Sequence, residues 1–298
     1  MPDLISGVRV GVDVGGTKTH VRAVRGGEVI ADRVVPSDGW RIADVRSSAE
    51  FLVDLVTTTV PRADVVAVAV GAHGCDSARM CAAVQAELTR LLPVACLVRN
   101  DAELLVPAVG IDSGVGLVAG TGSVAVGRDR RGDPVYVGGW GWLFGDEGSA
   151  PGLLREAARA SLAARDRGDP PDLLTDLLLH SYQVTEVTDL PDAMAADSGA
   201  RPWGSRVALV FDALRRGSAL AEAVVGEAAR ALAGLVARLS TRDVDIADVV
   251  VAGGVILNQP RLFDAFTREL EAVAPASRVH RLAVPPVHGA VRLAERLA

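Results

Sequence analysis

The chain has 298 residues, of which 49% are hydrophobic and 23% are charged, with a formal net charge of −6. This balance excludes a disordered chain, and the length predicts one large domain or two medium ones. Lys18 is the only lysine, and no run of five basic residues occurs. We therefore expect no nucleic-acid partner.

Cysteine content and apolar runs indicate the compartment. Cys75, Cys81 and Cys96 are too few and too irregularly spaced for a disulfide framework or a four-cysteine metal site, so reduced thiols are expected. The first residues show no basic segment followed by a long apolar run, which argues against a signal peptide. No apolar stretch approaches the ~20 residues that would span a bilayer. We predict a cytoplasmic protein with no membrane partner.

Strand and helix patterns alternate through the first hundred residues. Three β-branched runs separated by glycine turns predict an antiparallel meander, and two helices that stop at prolines alternate with two buried strands. The predicted strands are Val8–Val14, Thr19–Val24, Glu28–Val35, Asp64–Val70 and Val94–Val98, and the helices are Ser47–Val60 and Ser77–Leu92.

The same order then repeats. A second meander around a glycine turn leads into a long helical region, from about Ala150 to Leu239, with breaks at Gly168–Pro171 and Ser198–Gly204. The other predicted strands are Gly114–Ala119, Ser123–Arg128, Pro134–Val137, Asp248–Ala252 and Arg278–Leu282, and the last helices are Leu262–Val273 and Pro286–Ala298. The repeat predicts an α/β protein of two similar domains, residues 1–112 and 113–285, with the terminal helix 286–298 returning to the first.

The first glycine turn lies between two strands of the meander. Gly15, Gly16, Thr17 and Lys18 lack the P-loop pattern, but a glycine hairpin still presents backbone N–H groups that can hold phosphate oxygens. Asp13, at the end of a buried strand, could hold Mg²⁺ through water. The alternative is a plain tight turn in which backbone donors satisfy Asp13.

Two further glycine turns occur in the second half. Around Gly120, Thr121, Gly122 and Ser123 the sequence matches a permissive dinucleotide fingerprint, but a strand follows where a helix is required. A second phosphate-binding hairpin is the better interpretation. Gly253 and Gly254 end a buried strand; small residues there allow close approach of a base or ribose, or simply a packing turn.

Acidic side chains mark two more segments. Asn100 and Asp101 follow a buried strand, where open α/β sheets place their chemistry, although Asp101 could equally be a helix N-cap. The segment from Gly138 to Ala150 combines two tryptophans, five glycines and the carboxylates of Asp146 and Glu147. Rigid aromatic rings beside carboxylates suit a sugar better than a packed core.

Together and in this order, the segments resemble the sugar-kinase/actin/Hsp70-type ATPase superfamily. Within it, the chain resembles the N-acetylglucosamine kinase and BadF/BadG/BcrA/BcrD-type ATPase family. The resemblance extends from Gly11 to Ala290, and the string from Gly138 to Ala150 is its most specific part. It implies two actin-like, ribonuclease H-like domains with a nucleotide cleft between them.

The resemblance also implies roles for these residues, with ATP and Mg²⁺ as cofactors and an amino sugar as acceptor. Asp101 would be the catalytic base on the sugar hydroxyl, the 6-OH, and Asp13 would position Mg²⁺. The phosphates would contact Gly15, Gly16, Thr17, Lys18, Thr121, Gly122 and Ser123, and adenosine would lie against Gly253 and Gly254. The sugar would contact Asp38, Trp40, Asn100, Asp101, Gly139, Trp140, Asp146 and Glu147.

Two positions depart from the family pattern. Asp38 stands where the family often has an asparagine that touches the sugar, and a carboxylate attracts a cation. A free amino sugar such as glucosamine thereby becomes a competitor to N-acetylglucosamine. His73 stands where a serine is usual, and it could face the sugar or simply pack in a loop. The sequence does not fix the oligomeric state, and a homodimer is compatible with it.

Three other functions stay open. An ATP-driven activator of a radical dehydratase would carry iron–sulfur cysteines, yet all three cysteines precede Gly120. A hexokinase-like member of the repressor/open-reading-frame/kinase group would carry a cysteine-rich zinc motif in its second half. A non-catalytic sensor of a sugar or nucleotide would lack the base, whereas Asp101 is present.

Overall fold

The computed structural model describes residues 7–197 and 199–297, and in this part of the chain two five-stranded sheets form the scaffold. The first sheet has the order β3-β2-β1-β4-β5. Its strands are β1 (Val8–Val14), β2 (Lys18–Arg25), β3 (Glu28–Pro36), β4 (Val65–Ala72) and β5 (Ala95–Asn100). The predicted meander is confirmed: β1, β2 and β3 pair antiparallel, whereas β4 lies parallel to both β1 and β5.

Two helices each have a polar N-cap side chain that accepts a hydrogen bond from their first turn. Asp44 Oδ1 accepts a hydrogen bond of 3.1 Å from Ser47 N, and Ser77 Oγ accepts one of 3.2 Å from Met80 N, so each side chain satisfies a free N–H group of a first turn. The helices of this part are α1 (Val45–Thr59), α2 (Ala78–Leu91) and the single turn α3 (Leu105–Ala108).

The second sheet has the order β10-β9-β6-β7-β8. Its strands are β6 (Val115–Ala119), β7 (Ser123–Arg128), β8 (Pro134–Gly138), β9 (Asp248–Ala252) and β10 (Arg278–Arg281). The helices that follow β8 are α4 (Ala150–Arg167), α5 (Leu173–Tyr182), α6 (Leu190–Ala196), α7 (Ala200–Ser205), α8 (Ala208–Arg215), α9 (Ala219–Ser240), α10 (Gly254–Asn258), α11 (Pro260–Val273) and α12 (Val287–Glu295).

Of the two breaks predicted in the long helical region, the first is confirmed and the second is largely wrong. Gly168 ends α4 in the left-handed conformation (φ 74°), which glycine adopts without strain. The break predicted at Ser198–Gly204 is wrong for most of its length, because Ala200–Ser205 forms α7; Ser198 lies outside the described residues. No helix in the described ranges is long and apolar enough to cross a membrane.

The chain divides into two compact units. The first contains the described residues up to Gly116, together with Val126–Val135 and those from Leu282 onward. The second contains Leu117–Ala125 and Tyr136–Arg281. Helix α12 belongs to the first unit and packs against its sheet.

Glycines set the distance between α12 and its neighbours. A Cβ atom added to Gly11 of β1 would lie 2.5 Å from Val291 N, and one added to Gly289 of α12 would lie 2.0 Å from Leu104 O. Such contacts with backbone atoms leave no room for a methyl group. The helix therefore lies directly on β1 and on the segment that follows β5.

We expect Gly289→Ala to lower the free energy of unfolding by about 1–3 kcal/mol, because overpacking against backbone forces the helix outward. The matched control is Gly226→Ala in α9, where an added Cβ atom has no neighbour within 4 Å. That change should raise stability by up to about 1 kcal/mol through helix propensity. Urea unfolding of both variants tests the pair; an unchanged midpoint for Gly289→Ala would contradict the packing argument.

Candidate active site

The turn after β1 is closed by short backbone hydrogen bonds. Gly15 N donates to Lys18 O over 3.0 Å, and Ser37 N donates to Thr17 O over 3.1 Å. His73 N donates to Val14 O over 2.8 Å, which fixes the end of β4 beside this turn. Gly16, Thr17 and Lys18 are exposed. The turn can therefore present both backbone N–H groups and a lysine ammonium group to an anion.

Asp13 lies one residue before the end of β1, where it is mostly buried. Burial is the main cause that raises the pKa of Asp13 to about 7, and the nearby negative charge of Asp101 adds to it while Lys18 opposes it. The structure thus concentrates negative charge beside the phosphate turn predicted from the sequence.

Asn100, rather than Asp101, caps the turn that follows β5. Asn100 Oδ1 accepts a 2.9 Å hydrogen bond from Ala102 N, and Glu103 Oε1 accepts one of 3.4 Å from Asn100 N, completing a capping box. The N-cap alternative for Asp101 is therefore wrong. Burial raises the pKa of Asp101, and His73 opposes the shift.

Three glycines, each on a different strand or helix, lie in close contact with this turn. Added Cβ atoms would lie 2.3 Å from Leu104 Cδ1 at Gly71 of β4, 2.4 Å from Ala102 O at Gly116 of β6, and 2.0 Å from Leu104 O at Gly289. Only glycine allows such close approach of backbones. The position of Asp101 is consequently set by packing on several sides.

Two further loops lie next to this turn in the first unit. Trp40 Nε1 donates to His73 O over 3.0 Å, and Asn100 Nδ2 donates to Asp76 Oδ1 over 2.9 Å. The loop that carries Asp38 thus contacts the loop after β4, which in turn contacts Asn100. Asp38, His73 and Asp76 are exposed. His73 and Asp76 lie close enough to Asp101 to act on its charge, and these three exposed side chains are called the polar rim below.

In the second unit, the predicted phosphate hairpin is closed by Gly120 N donating to Gly122 O over 2.9 Å. Gly253 lies against it: its φ is +113°, and an added Cβ atom would lie 2.3 Å from Ala119 O. At Gly120, an added Cβ atom would lie 3.4 Å from Gly254 N. The hairpin and the turn after β9 therefore form one continuous glycine-lined surface with Thr121 exposed.

The loop between β8 and α4 brings Asp146 to the same hairpin. Asp146 has a positive φ of 56° and lies so that a Cβ atom added to Gly122 would be 3.1 Å from its Oδ2 atom. Its Oδ1 atom is buried and has no hydrogen-bond partner in the described chain. Burial raises the pKa of Asp146, and the charge of Glu147 adds to the shift. A hydroxyl donor from a ligand would satisfy this atom.

Hydrogen bonds from neighbouring residues hold the loop between β8 and α4, whereas the side chain of Trp140 stays exposed. Ser123 Oγ donates to Glu147 O over 2.8 Å, and Gly139 N donates to Ser123 O over 2.8 Å. Arg155 of α4 donates to Gly145 O over 2.9 Å. The Trp140 side chain is 74% exposed, so within this unit it is available to a ligand.

The structure thus assembles the predicted residues into two sets, one in each unit. Around Asp101 lie Asp13, the phosphate turn and the loop of Asp38 and Trp40; around Asp146 lie the second hairpin, Gly139, Glu147 and the Gly253–Gly254 turn. Sequence reasoning missed Asp76 and Glu103. Asp76 follows the parallel strand β4 as Asp101 follows β5, so its position at the carboxyl end of a strand was a usable signal.

The donor set suits Mg²⁺ only together with phosphates. No group of three or more His, Cys, Asp or Glu side chains in residues 7–197 and 199–297 could hold a metal ion by itself. Mg²⁺ is commonly held by one or two carboxylates, water and substrate phosphates. The buried carboxylate of Asp13, beside a turn of free N–H groups, fits that arrangement.

Comparison with known proteins gives matches to one family and to two curated sugar kinases. Residues 10–170 match the BadF/BadG/BcrA/BcrD ATPase family. An N-acetyl-D-glucosamine kinase of Dictyostelium discoideum is 26% identical, with 96% of this chain and 97% of that protein covered. An N-acetylmuramic acid/N-acetylglucosamine kinase of Clostridium acetobutylicum is 25% identical over the same shares of both chains.

Solved structures share the fold. A Chromobacterium violaceum protein assigned as an N-acetylglucosamine kinase has a TM-score of 0.72 at 19% identity, with 97% of this chain and 99% of that one covered. A ROK family glucokinase of Streptomyces griseus, in complex with glucose and AMPPNP, has a TM-score of 0.58 at 19% identity, with 98% and 99% covered. The α/β fold class predicted from the sequence, that of the actin-like sugar kinases, is confirmed.

Proposed function

Because the chain belongs to the BadF/BadG/BcrA/BcrD ATPase family, we propose that it transfers the γ-phosphoryl group of MgATP to the 6-OH group of an amino sugar, with N-acetylglucosamine as the first candidate. The family resemblance read from the sequence is confirmed, and so is the enzyme class, an ATP-dependent sugar kinase. The observation that carries the proposal is the buried carboxylate of Asp101, set in a packed turn beside Asp13.

In this proposal Asp101 is the general base. Phosphoryl transfer depends mainly on positioning and charge neutralisation, with one residue that accepts the proton of the attacking hydroxyl. Burial raises the pKa of Asp101, which brings it closer to the pH at which a base works best. Its carboxylate would accept the hydroxyl proton as the oxygen attacks phosphorus.

The glycine turns hold the phosphates. Backbone N–H groups at Gly16 and Gly122, with the ammonium group of Lys18, supply donors and positive charge for phosphate oxygens, while Gly15 shapes the turn through its own hydrogen bond to Lys18 O. Asp13 would hold Mg²⁺, which when bound neutralises charge on the transferring phosphoryl group.

The sugar is assigned to the polar rim and to the loop of Trp140. The exposed indole ring offers a flat apolar face, and the unsatisfied Oδ1 atom of Asp146 offers an acceptor for a hydroxyl group. Asp76 adds an exposed carboxylate near Asp101, and Asp38 adds another on the loop whose Trp40 bonds to His73 O. These charges support glucosamine, a cation at neutral pH, as a second candidate substrate.

The test is ADP release from MgATP with N-acetylglucosamine, glucosamine, N-acetylmannosamine, N-acetylmuramic acid, glucose or no sugar. We expect a strong response to one amino sugar, and NMR of its product would identify the phosphorylated oxygen. Equal turnover in every well would indicate an ATPase that serves a protein or an untested acceptor. No turnover would favour a non-catalytic sensor.

We expect Asp38→Asn to shift preference toward N-acetylglucosamine, because loss of the carboxylate removes its attraction for an ammonium group. A change of about tenfold in the ratio of kcat/KM values for the two sugars corresponds to about 1.4 kcal/mol, within the range of a charge-assisted hydrogen bond. Asp54→Asn, an exposed change on α1, is the control. An unchanged ratio of kcat/KM values would contradict the proposal that Asp38 recognises the charge of the sugar.

A further inference from the structure

Glu103 is a buried carboxylate to which the proposed reaction gives no role. It lies two residues after Asp101, and its side chain is only 5% exposed. Burying a carboxylate is costly unless it is paired and hydrogen-bonded. Its partners therefore decide what it does.

The Glu103 carboxylate joins the turn of Asp101 to another strand. One oxygen accepts the 3.4 Å hydrogen bond from Asn100 N, and the other lies 2.5 Å from a guanidinium nitrogen of Arg128, with Arg99 Nε at 3.9 Å. Arg128 is the last residue of β7 and also donates to Gly132 O. Glu103 and Arg128 both belong to the first unit.

The glycine contacts around this turn are van der Waals contacts. They set how closely β4, β6 and α12 approach it, but such contacts have little directional preference. The Glu103–Arg128 contact is an ion pair, which adds an attraction between two particular groups. Because Glu103 is buried, this attraction is screened less than it would be at the surface. The pair can therefore restrain the orientation of the turn in addition to the packing contacts.

We propose that Glu103, held by Arg128, is a positioning residue that orients the turn carrying Asp101. The proposal rests on the assignment of Asp101 as the base. Misplacement of a catalytic group by about 1 Å can cost up to about 100-fold in rate. A pair that holds the turn from outside the substrate site can thus control kcat without touching either substrate.

The first test is Glu103→Gln, which keeps the shape and an oxygen acceptor for Asn100 N but removes the charge that attracts Arg128. We expect kcat to fall by about 10- to 100-fold, with KM for ATP unchanged. Hydrogen exchange at the amide of Ala102, which donates to Asn100 Oδ1 over 2.9 Å and to Asp101 Oδ1 over 3.0 Å, should become faster. Arg128→Gln should lower kcat as well. Arg128→Lys keeps the positive charge and should lower kcat less than Arg128→Gln does.

The matched control is Glu87→Gln, which removes the exposed 2.7 Å ion pair between Glu87 and Arg90 on α2. Surface pairs contribute little to stability. This variant should retain wild-type kcat and exchange at Ala102.

A double variant keeps the proposal testable if Glu103→Gln does not fold. In the double variant Glu103→Met, Arg128→Met both partners of the ion pair are replaced at once. Apolar replacement of a buried ion pair is often neutral for stability. The folded double variant should still show low kcat and fast exchange at Ala102, because Asn100 N has lost its acceptor.

The outcomes separate this proposal from the proposed function. If wild-type protein forms no sugar-dependent ADP, the kinase assignment fails, and exchange at Ala102 alone decides whether Glu103 orders the turn. Wild-type kcat and wild-type exchange in folded Glu103→Gln would overturn the positioning role. The positioning role would also be overturned if the loss of activity were no larger than the loss of folded protein, which unfolding and nucleotide binding measure.

Discussion

Asp101→Asn is expected to reduce kcat by about 10²–10⁴-fold, the contribution typical of a positioned general base, while ATP and sugar still bind with nearly wild-type affinity. Asparagine has the same shape and can still accept the hydrogen bond from Ala102 N, but it cannot take the proton of a hydroxyl group. Steady-state ADP release gives kcat, and isothermal titration calorimetry gives the two affinities.

Asp112→Asn is the control for this prediction. The Asp112 side chain is 87% exposed and pairs with Arg296 at the surface, so its removal should leave kcat unchanged. Loss of sugar binding in a folded Asp101→Asn protein would assign a binding role to Asp101 in place of proton transfer. Wild-type turnover would remove it from the mechanism.

Asp13→Asn is expected to stabilise the ligand-free protein above neutral pH and to reduce kinase activity by about 10²–10³-fold. The pKa of Asp13 is raised to about 7 from 3.8, so the folded state binds this proton more tightly than the unfolded state. The stabilisation is complete below about pH 4 and is lost as pH rises to about 7. One unit of pKa corresponds to about 1.4 kcal/mol, which sets an upper bound near 4 kcal/mol.

The measurement is urea unfolding of both proteins at pH 5 and pH 8, with and without MgATP. Without ligand, wild type should lose more stability than Asp13→Asn between these pH values. MgATP should stabilise wild type more than the variant at pH 8, because a charged carboxylate binds the metal ion more strongly than a neutral amide oxygen. Equal pH dependence in the two proteins would show that Asp13 is solvated or already paired.

The sheet elements were the most predictable part of the fold. Val8–Val14, Ser123–Arg128 and Asp248–Ala252 have the predicted bounds, because β-branched runs that end at glycines or charged residues leave few alternatives. The helical region after Ala150 was less predictable. Ala200–Ser205 contains Pro202 and Gly204, which disfavour a helix interior, so packing rather than local preference decided that this segment is helical.

The sequence by itself identified candidate site residues at the ends of strands. Asp13, Asp101 and the glycine turns could be found because strand ends and glycines leave local signals, and because their order along the chain resembles one family. The chemical type of each side chain is fixed by the sequence, and with it the range of reactions that it can support.

Only the tertiary structure decided which groups are buried and which residues meet. The raised pKa of Asp13 depends first on burial and then on a charge 88 residues away at Asp101, and the pair of Glu103 with Arg128 joins the turn after β5 to the end of β7. Desolvation and Coulomb interactions depend on distances in space. No local pattern in the chain encodes those distances, because they arise only when segments far apart in the sequence are packed together.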